Sequence, residues 1–143
     1  MPAANRTLVI GRPPEQVFAF FTDAANDQKW RPHVKEISAN GPIGVGARIH
    51  QVVAGPGGRG ISADIEVTAY EPSAHYAFRG TAGPVRPEGD FHFVPSGEVT
   101  MVTFALSAEL GGVKKLFMSR PVQSSMDGEM AALDTAKLLI EGS

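Results

Sequence analysis

The sequence predicts an α+β fold: a curved antiparallel sheet of about six to seven strands around one long C-terminal helix, with two short helices after the first strand. Three observations carry this. Between residues 34 and 109 the apolar residues recur with period two, the spacing of half-buried strands. From Val113 to Glu141 the chain is rich in Met, Ala, Leu, Lys and Glu, which favour helix. Between residues 13 and 30 two helix starts follow a short strand. A chain of 143 residues is the size of one domain, taken as 1–143.

Thr7-Leu8-Val9-Ile10 ends the first strand. Pro13-Pro14-Glu15 opens a helix, because proline fits the first turn and an acid there suits the helix dipole. Val17, Phe18 and Phe21 form its apolar face. Asp23 caps a second helix, Ala24 to Trp30, which Pro32 stops. Strands follow at Val34–Ser38, Ala47–Val53, Ile61–Glu71, His75–Gly80, Phe91–Val94 and Val99–Glu109, punctuated by turns rich in glycine and proline. In Ile61–Glu71 the inward set is Ile61, Ala63, Ile65, Val67 and Ala69. Pro121 kinks the last helix or marks where its loose first turn ends, and Gly142 stops it.

Only the last helix is long enough to cover one face of such a sheet, and a curved sheet around it leaves room for a ligand between them. The formal charge of −2 argues against nucleic acid as a partner. Zero cysteines exclude disulfides, thiolate metal sites and a cysteine nucleophile, and fit a reducing, cytoplasmic setting. No apolar run is long enough to span a bilayer, so no integral membrane association is expected.

Ile10 to Asp23, with its Arg-Pro-Pro-Glu-Gln-Val-Phe run, resembles the opening of the SRPBCC superfamily, the polyketide cyclase/dehydrase and lipid-transport group. Asn26 to Trp30, Gly44 to Arg48, Glu66 to Pro72, Phe91 to Pro95 and a helix ending Lys137 to Glu141 match in the same order. The resemblance implies the helix-grip fold of START domains and the birch-pollen allergen. It implies ligand carriers or polyketide aromatases and cyclases, and fold alone does not choose between them.

Gly55-Pro56-Gly57-Gly58-Arg59-Gly60 spells a dinucleotide fingerprint, but a period-two segment follows it where the motif needs a helix. It is read as a hairpin turn, and no cofactor is expected. Strand parity turns His50, His75 and His92 outward, and His33 sits beside Pro32 in a connection. All four histidines are therefore placed at the surface, which removes the commonest general base from the cavity and leaves no metal site. Arg79 shares the outward parity of His75; a bulge would reverse it.

The expected ligand-binding set is mostly apolar: Trp30, Val34, Ile49, Ile65, Val67, Phe78, Phe91, Phe93, Phe104, Met126 and Leu133, with Gln51, Tyr76 and Glu129 as its polar members. Glu129 falls inside the apolar arc of the last helix, near an edge from which it is expected to reach solvent. Glu129 and Tyr76 are the two catalytic candidates. This composition favours a protein that binds or carries a small hydrophobic or aromatic molecule, as monomer or homodimer. The alternative is a polyketide cyclase or aromatase whose cavity folds a poly-keto chain.

Overall fold

The computed structural model describes residues 2–82, 85–111 and 113–143. The strands are β1 (Ala3–Ile10), β2 (Val34–Ala39), β3 (Arg48–Ala54), β4 (Gly60–Ser62), β5 (Ile65–Glu71), β6 (His75–Gly80), β7 (Glu88–Ser96) and β8 (Val99–Ser107). They form one antiparallel sheet in the order β1-β8-β7-β6-β5-β3-β2, with β4 added to β3. Helix α1 (Pro14–Thr22), a 3₁₀ turn (Ala24–Asn26) and the single-turn α2 (Asp27–Trp30) follow β1, and α3 (Val113–Glu141) ends the chain.

Helix α1 starts as expected, with Gln16 and Val17 donating their backbone N–H to the carbonyl of Pro13. Val17, Phe18 and Phe21 are buried. Asp23 Oδ1 accepts from the N–H of Ala25 at 3.0 Å, so the next turn is capped as expected, but its first residues are 3₁₀. Trp30 closes α2 and packs edge-on against Phe21, ring centroids 5.4 Å apart.

Two features correct the strand reading. The single strand expected over Ile61–Glu71 breaks at Ala63 and Asp64. Its first part pairs with β3 as β4, and its second runs on as β5. The register of β5 against β6 then slips between Val67 and Ala69, so Tyr70, not Ala69, shares the inner face with its partner Tyr76. Tyr70 accordingly meets Phe18 edge-on at 5.2 Å. A second irregularity lies at Val34/Glu36, opposite β3. Such bulges raise local twist and help the sheet curl.

Helix α3 lies under the sheet but is fastened to one side of it. Gln123 exchanges two hydrogen bonds with the backbone of Ala3, and Arg6 reaches the carbonyl of Met130 at 3.0 Å and Asp134 at 2.5 Å. Near its C-terminus Glu141 accepts from the N–H of Gly11 at 2.7 Å, and Arg12 binds the Glu141 carbonyl. Leu133, Ala136 and Ile140 are sealed in the core beside β1 and α1, together with Ile10, Val17 and Val102. The helix runs through Pro121, whose ring nitrogen has no hydrogen for the Phe117 carbonyl. The anchoring side is packed solid. Over β3 to β8 the sheet curves away from the helix, and the cavity lies there.

Candidate ligand cavity

The cavity holds about 590 Å³. That is within the range of pockets for small organic ligands. Its aromatic wall comes from neighbouring strands: Tyr76 and Phe78 on β6, Phe91 on β7 and Phe104 on β8. Phe91 and Phe104 are stacked, centroids 4.0 Å apart and 4° from parallel. Phe78 can lie inward because its partner Gly89 has no side chain; a Cβ there would stand 2.1 Å from the Phe78 ring. Ile49, Val53, Ile61 and Ile65 form the second wall, and Met118, Val122 and Met126 of α3 the third. Its exposed lining residues, Ala54, Ser62, Pro121, Ser124, Ser125 and Gly128, mark a mouth between α3 and the ends of β3 and β4.

Of the residues expected to line this space, Trp30, Ile49, Gln51, Ile65, Tyr76, Phe78, Phe91, Phe104, Met126 and Glu129 do so. Val34, Val67, Phe93 and Leu133 are buried but do not line it. Phe93, for example, is taken up by Phe18, ring centroids 5.2 Å apart, edge to face. Parity separates the two faces of a sheet, but it does not tell a cavity wall from a packed core. Arg79 keeps its outward parity and lies 3.4 Å from Glu66.

One end of the cavity is charged, and here the sequence reading is corrected twice. Glu129 does not reach solvent: it is 6% exposed. His33 is not a free surface histidine: its Nε2 lies 2.5 Å from Glu129 Oε1, on the cavity wall. The cause is Arg31, which the sequence reading passed over. Its Nε donates to both carboxylate oxygens of Glu129, at 3.1 and 2.9 Å, and its Nη2 to Oε1 at 2.9 Å. Its Nη1 donates to Asp27 Oδ2 at 3.0 Å and to Gln51 Oε1 at 3.1 Å. Gln51 completes itself by donating to the Ala63 carbonyl at 2.8 Å. Local order explains the convergence. Asp27 and Arg31 are four apart across the single turn of α2, and the backbone N–H of Arg31 closes that turn on the Asp27 carbonyl at 2.8 Å.

The electrostatics follow from this packing. Burial alone would raise the pKa of Glu129, but Arg31 and His33 outweigh it and hold the carboxyl below its ordinary value. The Arg31 guanidinium loses hydration, yet its two carboxylate partners drive its pKa upward. Asp27 goes the other way: burial dominates over Arg31 and pushes it up to about 6. Burial also raises Tyr76, which stays a neutral phenol. A general base working near neutral pH needs a raised pKa; Glu129 is instead a carboxylate held as an anion. No hydrogen bond among the described residues joins Glu129 directly to Tyr76 or Gln51; Arg31 bridges it to Gln51.

Asp27 gives a prediction with an unusual sign. Its folded pKa of about 6 exceeds its ordinary 3.8, so the folded state holds the proton more tightly. The resulting stability is present below the unfolded pKa and lost as pH rises through about 6. Asp27→Asn should remove that loss and stabilise the protein at pH 8 by about 1–3 kcal/mol, discounted for partial exposure. Thermal melts of both proteins across pH 4.5–8 check this; a lower melting temperature for the variant at pH 8 contradicts it. Glu129, with its lowered pKa, contributes stability above its ordinary value of 4.5 that is lost as pH falls below it.

A curled sheet gripping a long helix, with a lined cavity between them, defines the helix-grip class of protein. Residues 1–136 match the family model described as polyketide cyclase / dehydrase and lipid transport, and the chain belongs to that family. No curated protein matches it by sequence. Among solved structures it is similar to a Thermus thermophilus protein at 21% identity and TM-score 0.77, covering 99% of this chain and 100% of that one. A START superfamily protein from Mycobacterium smegmatis is similar at 14% identity and TM-score 0.74, covering 96% and 98%. The Zhui aromatase/cyclase of Streptomyces is similar at 13% identity and TM-score 0.70, covering 98% and 91%. At these identities the likeness concerns the fold. No helix of the described residues is long and apolar enough to cross a membrane.

Proposed function

We propose that the protein binds and carries a small hydrophobic or aromatic molecule in the cavity between sheet and α3. The observation that carries this is the pairing of an aromatic-walled space with a charged end already satisfied from within. Arg31 spends its donors on Glu129, Asp27 and Gln51, so little of its charge is left for an anionic substrate. Stacked Phe91 and Phe104 offer a flat surface to an aromatic ring. Trp30, on the cavity wall and 3% exposed, adds a further aromatic surface. The test is a fluorescence titration with an apolar naphthalene dye, competed by aromatic ketones and by fatty acids. Saturable uptake displaced by the ketones supports the reading; absence of uptake overturns it.

The second reading, a cyclase or dehydratase, rests on His33. A carboxylate 2.5 Å from an imidazole on a cavity wall is the arrangement that orients a histidine for proton transfer. On this reading His33 moves the proton and Glu129 positions it. His33→Ala should then lower the rate of cyclisation of a poly-keto chain by about 10²–10⁴ while leaving dye uptake intact.

A further inference from the structure

We infer that His75, Asp90 and His92 form a binding site for a first-row divalent transition-metal ion on the outer face of the sheet. The three residues come from adjacent strands. His75 on β6 and His92 on β7 are cross-strand partners, and Asp90, two residues before His92, shares their face. The two imidazoles stack, centroids 4.3 Å apart and 5° from parallel. This brings both Nε2 atoms to one carboxylate: His75 Nε2 lies 3.0 Å from Asp90 Oδ2, and His92 Nε2 lies 2.8 Å from Oδ1. All three ligand atoms fall within 4.8 Å of one another. Bonds of about 2.0–2.2 Å to one ion bring such atoms to roughly 3–3.6 Å apart, and the parallel imidazoles must splay so that their lone pairs converge, a side-chain rotation that the exposed His92 can make on a fixed backbone.

A second observation separates this cluster from an ordinary surface ion pair. Asp90 Oδ1 is shielded from water and accepts no well-aligned hydrogen bond from the described residues, although His92 Nε2 is at bonding distance. The nitrogen is close, but an N–H on it would not point at the oxygen. A shielded carboxylate lone pair without a donor is uncommon in proteins. Two imidazole nitrogens and a carboxylate suit zinc, cobalt, nickel or copper, and leave further positions to water. Glu71, the cross-strand partner of His75 on the other side, adds negative charge beside the site, and Arg79 farther along the same face is taken up by Glu66. Ala77 and Ala105, the partners of Asp90, leave the carboxylate space to turn. Phe91 and Phe93 alternate with these residues and point inward, so the sheet separates this site from the cavity and neither depends on the other.

The test uses the full chain without a histidine tag, stripped with a chelator and titrated with zinc chloride by calorimetry. Cobalt is titrated in parallel and followed by its visible absorption. One ion per chain is expected. His75→Ala and His92→Ala should each weaken binding by at least about tenfold, with Asp90→Asn close behind. His92 is exposed, so its variant should fold as the parent does, which circular dichroism verifies. His50→Ala should change nothing, because the His50–Asp64 pair offers one imidazole only. The inference is overturned if zinc fails to bind saturably below millimolar concentration, or if the His75 and His92 variants bind it as well as the parent.

Discussion

Glu129→Ala is expected to destabilise the protein by about 3–5 kcal/mol, the cost of stranding a buried charge. The Arg31 side chain is 14% exposed, and its guanidinium loses its three hydrogen bonds to Glu129, with only Asp27 left as an anionic partner. His33 loses its partner at the same time. The effect belongs to the broken pair and not to the acid itself. On an Asp27→Asn background, where no other buried carboxylate depends on Arg31, Arg31→Met combined with Glu129→Leu should therefore return most of the lost stability, since apolar groups of similar volume replace a buried pair at little cost. Urea unfolding of the two single variants and the double variant forms a cycle that measures this coupling. Nearly additive losses would contradict the account. Glu129→Gln, which keeps the shape, should leave apolar dye uptake almost unchanged if the protein is a carrier.

Gly128→Trp is expected to reduce dye binding by at least about tenfold, because the indole would stand in the cavity mouth. Gly128 lies within α3 and lines the cavity, and a Cβ built on it meets nothing within 4 Å. Glycine in a helix interior costs about 0.5–1 kcal/mol relative to alanine, so the position sacrifices helix stability and leaves the opening wide. Gly128→Ala is the control: it should gain about that amount of stability and keep dye uptake. Equilibrium titration of both variants, with melts alongside, separates obstruction from unfolding. Full uptake by the tryptophan variant would move the entrance elsewhere.

The strand and helix order was legible because each element has a clean period: Ile49 and Gln51, Tyr76 and Phe78, Phe91 and Phe93 all face inward as alternation requires. Three things were not legible, each for a physical reason. The bulge that turns Tyr70 inward depends on pairing with β6, and the alternation of β5 runs through it unbroken. The burial of Glu129 depends on Arg31, 98 residues away. A signal was present, however: an acid inside an apolar helical arc needs a cation, and Arg31 follows the tryptophan already assigned to the cavity. The meeting of His75 with His92 depends on the register across the long β6–β7 connection. Parity gave their common face without showing that they are neighbours.

An apolar guest held in this cavity should be visible by native mass spectrometry of freshly purified protein. The expected spectrum has a second species heavier by a small molecule of roughly a few hundred daltons, in keeping with a pocket of this size. That species should disappear on denaturation and on competition with the naphthalene dye, and should be missing from Gly128→Trp. A spectrum showing only the bare chain, from protein that also fails to take up the dye, would contradict it.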